Sequence, residues 1–257
     1  MRVKKIKKMK SGKYKLVIEG SNDIVTYDEV ILKNNLLSQK EIDEELLLKI
    51  NIDTDYYDIY MKVIKYIQIR LRSEKEIMKY LEKFKLDEVE KNKIIEQLKQ
   101  IGLINDFVFA KAYISDKLNL SNYGPNKIKQ DLANYDIDNT IIEELIWDID
   151  EREVYEKLYK LMEKKILNNK KYSKYQLKHK LLHEFANLGY QTEMINDIFE
   201  KLYVEDNNII KKEYEKIYNK LKTKYSGNEL FYKIKHKLYQ KGFSSEEIDD
   251  LFNDIVE

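Results

Sequence analysis

Hydrophobic and polar positions along this chain follow a helical period that repeats four times. The segments Ile77–Asp87, Ile128–Asp138, Leu181–Gln191 and Ile234–Ser244 align without gaps. In each, an aliphatic residue (Ile77, Ile128, Leu181, Ile234) stands four before a larger apolar anchor (Leu81, Leu132, Phe185, Leu238), the same-face spacing of a helix. Another apolar residue follows five after the anchor (Leu86, Ile137, Tyr190, Phe243), and then Asp87, Asp138, Gln191 or Ser244. That last position suits the N-cap of a second helix, with Gln191 the poorest fit. The second helix buries Ile94 and Ile95, Leu145 and Ile146, Ile198 and Phe199, or Leu251 and Phe252 at matching offsets.

The starts of the aligned helices are also encoded. Ser73–Glu76, Ser173–Gln176 and Ser226–Glu229 read as capping boxes, whereas the second copy has Gly124 and then Pro125, a residue suited to the first helical position. Ahead of each lies one more amphipathic segment, at 60–71, 107–118, 154–167 and 209–222. The fold class expected is therefore mainly α: tandem three-helix repeats in an elongated curved array, each unit packing mainly on its neighbours. Repeat boundaries are expected at 58–106, 107–152, 153–206 and 207–257. Gly102 marks a helix C-terminus closing the first unit, and Phe107, Phe109 and Tyr113 open the second as packing residues.

Residues 1–57 read differently. Tyr14, Leu16 and Ile18 alternate with polar neighbours between turn-like segments at 10–13 and 19–23, which predicts a small antiparallel meander. A capping box at Ser38–Glu41 predicts a helix to about Ile50, and the acidic 51–58 reads as a linker. This piece would shield one open end of the stack.

Composition agrees: 43% hydrophobic residues can supply a core, and one proline and seven glycines are few interruptions for 257 residues. The absence of cysteine excludes disulfides and thiolate chemistry. No run of about 18 apolar residues appears, so a soluble, cytoplasmic monomer is expected.

Candidate chemistry is sparse. There is no GxGxxG and no GxxxxGK. His179 and His183 share a helix face, but Lys180 occupies the place of the glutamate in HExxH, and His183 and His236 share one repeat position. Trp147 reads as packing within the third helix of the second unit. No catalysis, metal or cofactor is expected. The net charge of +1 conceals lysine-rich stretches at 164–183, which has no acid, and at 216–241, where the single acid is Glu229. Lys127, Lys180 and Lys233 share one position five before the anchor, where the first unit has Glu76.

The segments RLRSEKEIMKYL (70–81), LKQIGLINDFVFAKAYISDKL (98–118) and GPNKIKQDLANYDID (124–138) together resemble the core of the RecX family, bacterial regulators of the RecA recombinase. The likeness is specific through 70–140 and looser through the later repeats, and the four-repeat length is similar to the long form of the family. It implies a non-enzymatic protein that binds in the groove of the RecA filament on single-stranded DNA and limits strand exchange, ATP hydrolysis and coprotease activity. Family members also contact DNA. The family's basic entry maps onto Arg70 and Arg72, and its joint onto Asp106, Phe109 and Ala110. Tyr135 and Asp136 depart from the Lys-Gly or Arg-Gly turn usual there. The partner-binding candidates are thus Arg70, Arg72, Lys127, Lys180 and Lys233, meeting RecA or DNA. The alternatives are a RecA-independent nucleic-acid-binding repeat protein and a general protein scaffold.

Overall fold

A computed structural model describes residues 1–38, 41–204 and 206–256. Three strands, β1 (Val3–Lys8), β2 (Tyr14–Ile18) and β3 (Ile24–Thr26), form an antiparallel sheet in sequence order, with Ile6 opposite Leu16 and Leu16 opposite Ile24. Thirteen helices come after them among the described residues: α1 (Asp28–Lys33), α2 (Glu44–Ile69), α3 (Glu74–Leu81), α4 (Glu88–Gln100), α5 (Asp106–Leu120), α6 (Pro125–Asn134), α7 (Asn139–Trp147), α8 (Glu151–Leu167), α9 (Lys174–Asn187), α10 (Thr192–Leu202), α11 (Asn207–Leu221), α12 (Gly227–Gln240) and α13 (Ser245–Val256). The chain divides into two compact units, residues 1–109 and 110–257, with the division inside α5.

Every aligned anchor is buried. Ile77, Leu81, Ile128, Leu132, Leu181, Phe185, Ile234 and Leu238 lie in the interior, as the four-residue spacing requires. Separate apolar clusters gather residues 3–50, 63–104, 154–199 and 209–252. The expected box at Ser173 is half made: its hydroxyl accepts from the amide of Gln176 at 3.3 Å without a reciprocal bond from the glutamine side chain. Ser73 and Asp87 each make a reciprocal box, with Glu76 and Glu90. Asp138 accepts from the amide of Thr140 at 2.7 Å, Ser244 and Glu247 close a further box, and Gln191 makes no side-chain cap.

Two local expectations need correction. Ser226 forms no box with Glu229, because Gly227 between them takes a left-handed φ of 57° and breaks the geometry a box needs. The expected helix from Ser38 to Ile50 with a linker over 51–58 is replaced by one unbroken 26-residue helix, α2. Gln39 and Lys40 of the expected cap lie outside the described residues, and the cap is Asp43, whose carboxylate accepts from Leu46 N at 2.7 Å. Residues 51–58 stay helical because their polar side chains have partners in the N-terminal layer. Asp53 accepts from Asn34 at 3.0 Å and from Lys33, Thr54 bonds the hydroxyl of Thr26 at 2.6 Å, and Asp58 holds both Lys13 and Tyr27. Against the cost of burial, these hydrogen bonds keep the Asp53 and Asp58 carboxyls below the usual carboxylate range.

Candidate partner-binding surfaces

The two arginines before α3 behave unlike surface cations. The Arg72 side chain is 11% exposed; its guanidinium lies 3.9 Å from the ring centre of Tyr66, which stacks on Tyr80 at 4.2 Å. Its Nη1 reaches Glu76 at 3.3 Å, and Arg70 bonds the same carboxylate. The Nε of Arg72 is buried without a hydrogen-bond partner, so stacking and one ion pair hold this side chain. Glu76, which interrupts the lysine series in sequence, is the acid that gathers both arginines. Nearby, the Asp106 carboxylate accepts from the amide of Glu74 at 3.1 Å at the start of α3, and burial raises its pKa. Phe109 and Ala110 are buried, which gives the family-like joint a packing role.

The lysine series is more exposed. Lys127 is half-buried and pairs with Asp131 at 3.4 Å on its own helix. Lys180 and Lys233 are exposed, and each lies over a tyrosine eight residues earlier: Lys180 at 4.5 Å from the Tyr172 ring and Lys233 at 5.5 Å from that of Tyr225. Lys180 also donates to the Tyr172 hydroxyl at 3.3 Å, which holds that phenol below its ordinary pKa. The structure therefore places Lys180 and Lys233 in matching settings, whereas Lys127, Arg70 and Arg72 each have a carboxylate partner. The tyrosines at this fixed eight-residue offset could have been found in the sequence.

Around them the lysine-rich stretches are partly neutralised by acids from elsewhere in the fold. Glu184 takes Lys165, Glu200 takes Lys174 and Lys178, Glu213 takes Lys216 and Lys241, and Asp249 takes Lys235. What stays exposed is a mixture of lysine, histidine and tyrosine: Tyr175 beside His179 on α9, and Tyr232 beside His236 with Tyr239 on α12. Such faces suit stacked bases and phosphates.

Trp147 is a further departure from expectation. It is 88% exposed and is not packed within α7. Ile142 and Leu145 are buried and Ile146 and Ile149 half-buried, so they fill the inward stripe and leave Trp147 off it.

The repeats of residues 110–257 join through one recurrent device. The middle helices α6, α9 and α12 each end in a left-handed residue: Asp136, Gly189 or Gly242. In each, the next amide (Ile137, Tyr190, Phe243) returns to the carbonyl of the anchor (Leu132, Phe185, Leu238), as in a Schellman turn. At the turns after α9 and α12 the start of a neighbouring helix docks. Gly124 N donates to Leu188 O at 2.7 Å and Asn126 N to Gly189 O at 3.1 Å, while the Ser173 hydroxyl donates to Lys241 O at 2.9 Å. Lys157 on α8 adds a tie by donating to the carbonyls of Leu118 at 2.7 Å and Tyr123 at 3.2 Å, and burial lowers its pKa. Among the described residues no group of three His, Asp or Glu could hold a metal, and no helix is long and apolar enough to cross a membrane.

Sequence models of the second and third three-helix domains of RecX match residues 105–146 and 205–252. The regulatory protein RecX of Bacillus cereus strain G9842 is 30% identical over 237 residues, covering 90% of this chain and 87% of that protein. The chain belongs to the RecX family. The regulatory protein RecX of Halalkalibacterium halodurans is 28% identical over 258 residues, covering 97% of each chain. The crystal structure of a regulatory protein RecX shares the fold, with a TM-score of 0.65 at 20% identity, over 78% of this chain and all of the other. RecX from Lactobacillus salivarius gives 0.52 at 26% identity, over 58% of this chain and 96% of the other. The third RecX domain model falls on α11–α13, the fourth of the internal repeats. In this chain Asp136, with a φ of 58°, supplies the left-handed turn that Gly189 and Gly242 make in the later repeats.

Proposed function

We propose that this chain binds the RecA filament on single-stranded DNA and restrains its recombinase, ATPase and coprotease activities, without covalent chemistry of its own. The observation that carries this reading is membership of a family of regulatory proteins, matched along 90% of the chain by the Bacillus cereus protein. Serial three-helix modules with side chains in equivalent settings, such as Lys180 on Tyr172 and Lys233 on Tyr225, are suited to a partner that is itself a polymer. Titrating the protein into a RecA strand-exchange and ATPase assay tests it. Inhibition at micromolar protein is expected, and no effect on either activity rejects the reading.

A second reading, nucleic-acid binding without RecA, is favoured by the exposed lysine and tyrosine face of α9 and α12. It predicts an affinity for single-stranded DNA that falls steeply with salt and is lost in Lys180→Glu/Lys233→Glu. Flat salt dependence excludes it.

A further inference from the structure

An open groove of about 520 Å³ lies beside Trp147. Its apolar walls come from Pro125 at the start of α6, Ile146 near the end of α7, Ile149 in the turn after it, Val154 on α8 and Met194 on α10. Gly189 and Tyr190 also line it, so the groove is built on the backbone junction at which Gly124 and Asn126 bond Leu188 and Gly189. A cleft framed by main-chain hydrogen bonds keeps its shape before a ligand arrives, which lowers the ordering cost of binding.

The rim carries charge of one sign. Glu143 and Glu151 line the groove, and the exposed chain segment between and after them adds Glu144, Asp148, Asp150 and Glu153 against Arg152. Lys129 neutralises Glu143 alone among them. An acidic rim repels phosphate, which disfavours a nucleic acid, and it attracts a lysine or arginine. Trp147 adds the face on which a guanidinium stacks best, and tryptophan is the residue most often found to anchor a protein interface.

We propose that this groove is a protein-docking site for a partner segment presenting a bulky apolar side chain next to an arginine or lysine. The apolar side chain fills the space between Ile146, Val154 and Met194, while the cation lies on the Trp147 indole and pairs with Asp148 or Glu151. The partner is taken to be the RecA filament, and that identification rests on the proposed function. In that case the chain meets the filament through two unlike surfaces. The acidic groove takes protein, and the lysine and tyrosine face of α9 and α12 is left for the phosphate backbone.

Trp147 is the only tryptophan in the chain, so replacing it biosynthetically by 5-hydroxytryptophan gives a probe excited apart from any partner tryptophan. RecA filaments on single-stranded DNA are added to the full-length labelled protein, and binding is followed separately by co-sedimentation. On binding, a blue shift and weaker acrylamide quenching are expected. Trp147→Ala, tolerated by the fold because the side chain is outside it, should weaken co-sedimentation at least about tenfold, as loss of an interface anchor does. Asp148→Lys/Glu151→Lys should weaken it similarly, and Val89→Ser, an exposed apolar site remote in sequence, should leave it unchanged. Filaments that co-sediment equally with Trp147→Ala and leave the probe unmoved overturn the groove and spare the proposed function. Failure of the unmodified protein to co-sediment overturns both. A probe shift with single-stranded DNA alone, or with rising protein concentration alone, assigns the groove to nucleic acid or to a second copy and overturns the proposal.

Discussion

The two junctions within residues 110–257 use one device at different tightness. At the first, the start of α6 meets the turn after α9 backbone to backbone: a Cβ on Gly189 would come 2.2 Å from Lys127 N, and one on Gly124 would come 2.7 Å from Gly189 O. At the second, a Cβ on Gly242 would meet only side-chain atoms, with Ser173 Oγ at 3.0 Å and Tyr175 at 3.1 Å. One joint is thus fixed by the main chain and the other by a serine hydroxyl that can adjust. The contrast teaches that equal spacing in sequence does not mean equal stiffness, and the proposed docking groove lies on the stiffer joint.

Substitutions rank the two joints. Gly189→Ala is expected to cost most, about 3 kcal/mol or more, because φ is 89° and backbone atoms cannot yield; the midpoint of urea unfolding measures it. Gly124→Ser should cost about 2 kcal/mol, since its φ of −94° is ordinary and only the clash remains. Gly242→Ala should cost about 1–2 kcal/mol, mostly from its left-handed φ of 78°. Ser173→Ala should cost about 1 kcal/mol, for the lost cap on Gln176 and the lost bond to Lys241. If Gly242→Ala proved costlier than Gly189→Ala, the ranking of the joints would be reversed. Trp147 fluorescence sharpens the test, because Gly189→Ala should perturb it and Ser173→Ala should not.

Much of the fold was legible in the sequence because the anchors and caps are local signals. Leu81, Leu132, Phe185 and Leu238 mark the middle helices, and Asp87, Asp138 and Ser244 cap the third helices where spacing places them. What escaped depended on tertiary partners. Residues 51–58 read as a linker since Asn, Asp and Thr are poor helix formers, and only Asn34, Thr26, Lys13 and Tyr27 across the layer explain their helical state. For the partner-binding candidates only exposure is observed, and it differs among them. Repeat position marked Lys180 and Lys233, and both are exposed, whereas the family resemblance gave Arg72 a partner-binding role and the stack of Tyr66 and Tyr80 draws its guanidinium inward. Trp147 was misjudged although the helical period already placed Ile142, Leu145, Ile146 and Ile149 inside.

The long helix α2 has a mechanical consequence. At 1.5 Å per residue it is a shaft about 39 Å long, with Ile50 in the core below the sheet and Val63 and Ile67 in the core of the adjoining three-helix cluster. The opening strands are thereby welded to that cluster instead of hanging from a tether. A pull on the sheet is carried along α2 into that cluster, and deleting the strands would strip the upper half of a helix whose lower half is still needed.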